Sequence, residues 1–256
     1  MPVLIQFKEL TTFTFYFERM LKLVGNIIMK KTLVIIGIVV IIIAVMAGSL
    51  NTASSIKHFT LGSNNKGFVT KTVYDPSGAS TKNIAIVTGM HPREISAKVV
   101  VPEVIKDYAK SNNVKIVNYQ VTVTDDPTVF STGRHNGESL VAKYVIPDIK
   151  KSNYDLVIIC HDHKKGYGND SYYIATPSMD AKSIALAEEV HNILPDFNYY
   201  QRDADSKTQS TSITGVDDPI VATGTPVFVY EIPEWLNDSD VYSNTNRLID
   251  ACFKSI

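Results

Sequence analysis

Residues 83–94, read as NIAIVTGMHPRE, restrict the fold more than any other stretch of this chain. Ile84, Ala85, Ile86 and Val87 form an apolar run of strand length, the pattern of a strand covered on both faces. Gly89 ends the run. Residues 95–110 then place Ile95, Val99, Val100, Val104, Ile105 and Tyr108 at helical spacing. A covered strand feeding an amphipathic helix is the unit from which parallel sheets are built. The alternation recurs downstream. Strands are expected at 68–74, 114–124, 155–160 (DLVIIC), 172–175, 198–201 at an edge, and 226–232 (PVFVYEI); helices are expected at 139–149, 179–194 and 239–253. The polar stretches 125–137 and 202–219 read as loops, the second long enough to suggest a functional one. The expectation is one α/β domain over 68–256, three layers deep, with a mostly parallel mixed sheet.

Ahead of this domain, residues 32–50 carry no charge and are apolar except for small residues. Their length approaches the roughly 20 residues a helix needs to cross a bilayer. Lys30 and Lys31 precede them, which orients the N-terminus to the cytoplasm and the rest outside. The expectation is a single transmembrane anchor at 32–50, with a cleaved signal as the alternative. The chain would then be a single-pass protein of the cell membrane with an extracytoplasmic domain, or secreted if the signal is cut. Met29-Lys30-Lys31 resembles a start of translation, so 1–31 is an N-terminal segment to which no function is assigned. Residues 51–67, rich in Ser, Thr, Asn and Gly, read as a linker. The net charge of −1 implies no polyanionic partner such as a nucleic acid. Cys160 and Cys252 are too few for a disulfide framework and sit in apolar contexts suited to buried thiols.

The ends of three strands carry chemistry. His91 and Glu94 follow the first, His161-Asp162-His163 follow DLVIIC, and Glu231 lies near the end of PVFVYEI. In open α/β sheets, sites form beyond the carboxyl ends of strands. Imidazole nitrogen and carboxylate oxygen are normal zinc ligands, and catalytic zinc keeps three of them and one open position. His91, Glu94 and either His161 or His163 supply such a set for one zinc per chain. His161, adjacent to the strand, is favoured; His163 is the alternative or an outer support. Glu231 suits a general base, because an unpaired carboxylate in an apolar run is costly. Arg134 suits a bidentate grip on a substrate carboxylate, with Arg202 as a rival.

His91-x-x-Glu94, the later His161, and Glu231 in VYEIPEW together resemble the zinc carboxypeptidase family, which includes the aspartoacylase and succinylglutamate desuccinylase deacylases. The resemblance covers roughly residues 83–235. It implies a three-layer hydrolase fold, zinc on His91, Glu94 and His161, Glu231 as base, and loop arginines on the substrate. It departs from the family in lacking an Asn-Arg pair between the ligands; Gly133-Arg134 stands there instead, and Tyr199 and Tyr200 are the nearest candidates for the family's active-site tyrosine. Three functions are consistent with the residues: an amide hydrolase of carboxypeptidase type acting on cell-envelope or extracellular peptides, a deacylase of N-acyl amino acids, and a membrane-tethered module that binds peptides without cutting them.

Overall fold

The computed structural model describes residues 18–25, 29, 32, 35–41, 56–78, 80–202 and 209–256. Residues Met1–Ala53 and Ser54–Ile256 form two separate units. In the first, the described helical stretches 18–25 and 35–41 expose their side chains. Most of the expected span 32–50 lies outside the described residues, and among these no helix is long and apolar enough to cross a membrane.

The second unit is built on one eight-stranded mixed sheet. In chain order the strands are β1 (Ile56–Asn64), β2 (Gly67–Tyr74), β3 (Asn83–Thr88), β4 (Lys115–Val123), β5 (Leu156–His163), β6 (Tyr173–Thr176), β7 (Asn198–Gln201) and β8 (Val227–Pro233). Their spatial order is β1-β2-β4-β3-β5-β8-β6-β7. The four central strands β4, β3, β5 and β8 are parallel. β1, β2 and β6 run antiparallel to their inner neighbours, and β7 pairs parallel to β6. The strand β1 was not expected: the linker assignment covers it. Asn64 Oδ1 accepts from the Lys66 N–H at 2.9 Å, closing a tight turn that folds 56–64 back onto β2.

Successive side chains of the central strands enter opposite cores, so both faces are covered. Leu156, Ile158 and Cys160 of β5 pack under helices α1 (Val101–Asn112), α4 (Ala181–Ile193) and α6 (Asp238–Ser255). Val157 and Ile159 pack on the other side, under α2 (Phe130–Leu140), α3 (Ile146–Ile149) and α5 (Asp218–Val221). Cys160 and Cys252 are buried free thiols in the first of these cores.

Two stretches expected as loops, 125–137 and 202–219, carry helical segments among the described residues: α2 begins at Phe130, and residues 211–221 are helical. Pro102, Pro147 and Pro219 each sit inside a helical stretch, where the ring would ordinarily strike the carbonyl four residues back. In each case the residue before the proline reaches back five residues rather than four: Val101 to Ser96, Ile146 to Val141, and Asp218 to Ile213. The widened turn accommodates the ring, and the helix runs on. Arg134 lies on α2 and not in a loop, and a π-turn (Ile213–Asp217) runs into α5 at the end of the expected loop 202–219; residues 203–208 lie outside the described ones.

Candidate metal centre and active site

At the end of β3 the chain turns at Gly89, where a φ of +70° and a Cβ that would lie 2.6 Å from the Val121 carbonyl oxygen both exclude a side chain. Met90 is fully buried, and His91 follows in a tight turn in which the Glu94 N–H bonds the His91 carbonyl at 3.1 Å. The turn brings residues 91 and 94 together. His91 Nδ1 lies 2.8 Å from Glu94 Oε1. β5 continues through His163, so His161 and His163 share a face, as period two requires. Only His161 reaches the cluster, its Nδ1 2.7 Å from Glu94 Oε2. The two imidazoles stack with centroids 4.4 Å apart. One ligand atom from each of His91, Glu94 and His161 lies within 4.8 Å of the others.

The donor set fits a zinc ion: two imidazole nitrogens and a carboxylate converge, buried or half-buried. The outer atoms fit as well. His91 Nε2 faces Glu138 Oε1 at 3.4 Å, the carboxylate behind a ligating imidazole that fixes its tautomer. Glu138 is held in turn by Ser212 Oγ (2.6 Å), Thr211 Oγ1 (3.0 Å) and Arg134 Nε (3.1 Å). Asp162, on the opposite face of β5 from His161, accepts from the N–H groups of Ser96 (2.7 Å) and Ala97 (2.9 Å). It ties the strand to the start of the helix that follows Glu94.

Glu138 and Asp162 carry no motif in the sequence. The available signals were the i, i+4 spacing of Arg134 and Glu138 and the placement of Asp162 between two strand histidines. Gly137 brings Glu138 into place: a Cβ there would collide with the Met90 carbonyl, so only glycine lets α2 lie against the turn preceding His91.

Arg134 lines the cleft, but Nε is bonded to Glu138 and Nη2 to Ser210 (2.9 Å) and Ser212 (2.7 Å). Its contacts here are those of a brace for Glu138. Arg202 Nη1 points to the Pro177 carbonyl at 3.4 Å. His163 directs both ring nitrogens at main-chain carbonyls, of Lys164 (3.1 Å) and Ser171 (3.0 Å), and packs against Tyr173 and Trp235. It bonds none of the three clustered residues.

Glu231 pairs in register with His161 on β5, and Tyr173 of β6 pairs with Glu231. Paired residues share a sheet face, so His161, Glu231 and Tyr173 form a row across three strands. All three line a cleft of about 670 Å³ that also contains His91, Glu94 and Asp217. Tyr199 bonds Thr176 at 3.0 Å and Tyr200 packs edge-on against Tyr173; the tyrosines that line the cleft are Tyr167 and Tyr173, which the sequence did not single out.

The acids divide into two sets. Burial pushes Glu94 up, but the neighbouring His161 charge and the hydrogen bonds from both imidazoles outweigh it and hold the carboxyl at about 2. Glu138 is likewise held at about 2: its desolvation is outweighed by hydrogen bonds from His91, Ser212 and Thr211 and by the Arg134 charge. Glu231 moves the other way. Burial pushes it up to about 7, with Glu94 and Asp162 adding to the effect and His161 opposing it. Burial likewise pushes Asp217 up to about 7. Desolvation lowers His161, but Glu94 overcomes this and raises it to about 9.

No family model matches the sequence, and no curated relative matches it. Solved structures do. A metallo-carboxypeptidase from Burkholderia cenocepacia superposes with a TM-score of 0.57 at 14% identity, over 83% of this chain and 67% of that one. A metallo-carboxypeptidase from Pseudomonas aeruginosa, in complex with (2-guanidinoethylmercapto)succinic acid, gives a TM-score of 0.55 at 12% identity, over 80% of this chain and 65% of that one. The chain thus spans about two thirds of the length of these proteins. At such identities the likeness is one of architecture, and what it establishes is that this chain has the metallo-carboxypeptidase fold.

Proposed function

We propose that the chain is a zinc-dependent amide hydrolase of carboxypeptidase type. One observation carries the reading: His91, Glu94 and His161 converge within 4.8 Å, with Glu231 beside His161 in register across the sheet. The ion would be held by Nδ1 of both histidines and by the Glu94 carboxylate. When bound, zinc supplies Lewis acidity toward the scissile carbonyl and acidifies its water.

The chain's own residues do the remaining work. Glu231, with a proton affinity near neutral, accepts the water's proton at its carboxylate and returns it to the departing amine. Glu138 takes the His91 Nε2 proton in a hydrogen bond, which keeps Nδ1 free as a donor atom.

The substrate class we infer is a peptide, cut at its C-terminal bond. The uncharged stretch 32–50 behind Lys30 and Lys31 supports a membrane-anchored, extracytoplasmic setting, and so cell-envelope or extracellular peptides. The test is a metal and activity analysis of the purified domain. About one zinc per chain and hydrolysis of N-blocked dipeptides, lost on His91→Ala, are expected. Hydrolysis of N-acyl amino acids in place of dipeptides would move the assignment to a deacylase. Zinc bound without turnover of either class would leave a binding module.

A further inference from the structure

A second hollow, of about 600 Å³, lies away from the metal cluster. His91, His161 and Glu231 stand toward the carboxyl ends of the parallel strands; this hollow lies over β1, β2 and Lys115, the first residue of β4. Its floor is Leu61 and Val73, half-buried side chains that pack onto the core under α2, α3 and α5.

Lysines and an aromatic ring share this sheet face. Lys57 pairs in register with Val73, and Phe59 with Lys71. The two acids of the hollow are engaged within the fold. Asp148 Oδ2 takes the Lys71 ammonium at 2.6 Å and the Tyr119 hydroxyl at 2.5 Å. Asp75 accepts from the Gly78 N–H at 2.9 Å, closing its own turn. Lys57 and Lys115 have no ion pair among the described residues. Lys150 and Lys151, exposed, follow Asp148 in the chain. Phe59 is 48% exposed, although a phenyl ring gains by leaving water.

Unpaired ammoniums around an exposed ring suit a layer with phosphates outside and acyl chains within. β2 separates β1 from β4, so Lys57 and Lys115 stand on strands about 10 Å apart. A layer of headgroups meets both lysines and also takes the ring, which a single free phosphate would leave in water. Position in the chain agrees: β1 opens the domain, and only residues 51–55 separate it from the uncharged stretch 32–50.

We propose that this face, through Lys57, Lys115 and Phe59, docks on an anionic phospholipid surface and leaves the cleft, at the other end of the strands, open to substrate. The docking goes beyond the hydrolase reading and needs neither metal nor turnover.

The test assembles the full chain with phosphatidylcholine vesicles, with or without an equal share of phosphatidylglycerol. Lysine acylation by an amine-reactive reagent is then followed site by site by mass spectrometry. Phosphatidylglycerol should slow acylation of Lys57 and Lys115 by about fivefold, the effect of one lysine at an anionic surface. Lys164, at the cleft, should keep its rate. Salt at about 1 M, where charges are screened within about 3 Å, should cancel the slowing. Equal rates in the two lipids, or slowing at Lys164 instead, overturns the docking, and this comparison requires no variant to fold. Equal slowing by inorganic phosphate at matched phosphate concentration also overturns it, since the hollow would then be a site for a small anion. Dipeptide hydrolysis is read in the same samples: slowing without hydrolysis upholds the docking while the hydrolase reading falls.

Discussion

The two walls of the cleft treat carboxylates in opposite ways. On one wall, made by the turn after β3 and by α2, both glutamates have partners. Glu94 meets two imidazoles, and Glu138 meets an imidazole, a guanidinium and two hydroxyls. Both are held at about 2. On the other wall, made by β8 and the helical segment 213–221, Asp217 is buried and Glu231 half-buried, both have few partners, and both sit at about 7. Burial is common to both walls; the difference is hydrogen bonding to the charged form. The first wall is permanently anionic and suited to holding a cation. The second can exchange a proton near neutral pH.

The largest test of this contrast removes the first wall's purpose. His161→Ala, or chelation of the unmodified protein, should abolish both metal retention and amide hydrolysis, read by metal analysis and a dipeptide assay. A protein that keeps full activity without metal would break the comparison at its base. Next, Glu231→Gln should keep the metal but lower kcat by about 10²–10⁴-fold, the contribution of a positioned base. The unmodified protein's kcat/KM should rise with pH along an acid limb at or below about 7, because the base must be ionised.

Glu138→Gln retains the shape of its wall and removes its charge. It should weaken zinc binding by about 10–100-fold, measured by competition with a chelating dye, with a smaller effect on kcat than Glu231→Gln. Gly137→Ala should act on the same contact through packing, lowering stability by about 2 kcal/mol or more by urea titration.

The smallest effect concerns pH and the metal-free protein. His161 keeps its proton up to about 9 when folded, against an ordinary value of 6.5. Between these two values the folded state binds more protons than the unfolded one, so stability declines as pH rises. The melting temperature of chelated protein should therefore fall from pH 6.5 to 9, and the fall above about pH 7.5, beyond the range of Glu231 and Asp217, should shrink in His161→Gln.

Much of this was readable beforehand. The strand at 83–88, the helix behind it, the strand ending in His161 and the strand bearing Glu231 follow from short-range apolar spacing. That spacing survives in the fold because both sheet faces are covered. Polar composition was the main source of error: 125–137 and 202–219 read as loops, yet α2 and the segment 213–221 are helical, the second running through Pro219 on a widened turn. β1 was concealed by polar composition, since an edge strand needs little apolar surface and is secured by its turn and its pairing.

Residue type and position relative to strand ends were enough to nominate His91, Glu94, His161 and Glu231, because side-chain direction at a strand end is a local property of the backbone. Pairing across elements is not local. That Glu138 backs His91, that Arg134 braces Glu138, that His163 turns to main-chain carbonyls, and that Asp217 is left without a donor all depend on how α2 and the 213–221 segment pack onto the sheet. The contact between His91 and Glu138 joins residues dozens of positions apart, and only the assembled core sets its distance.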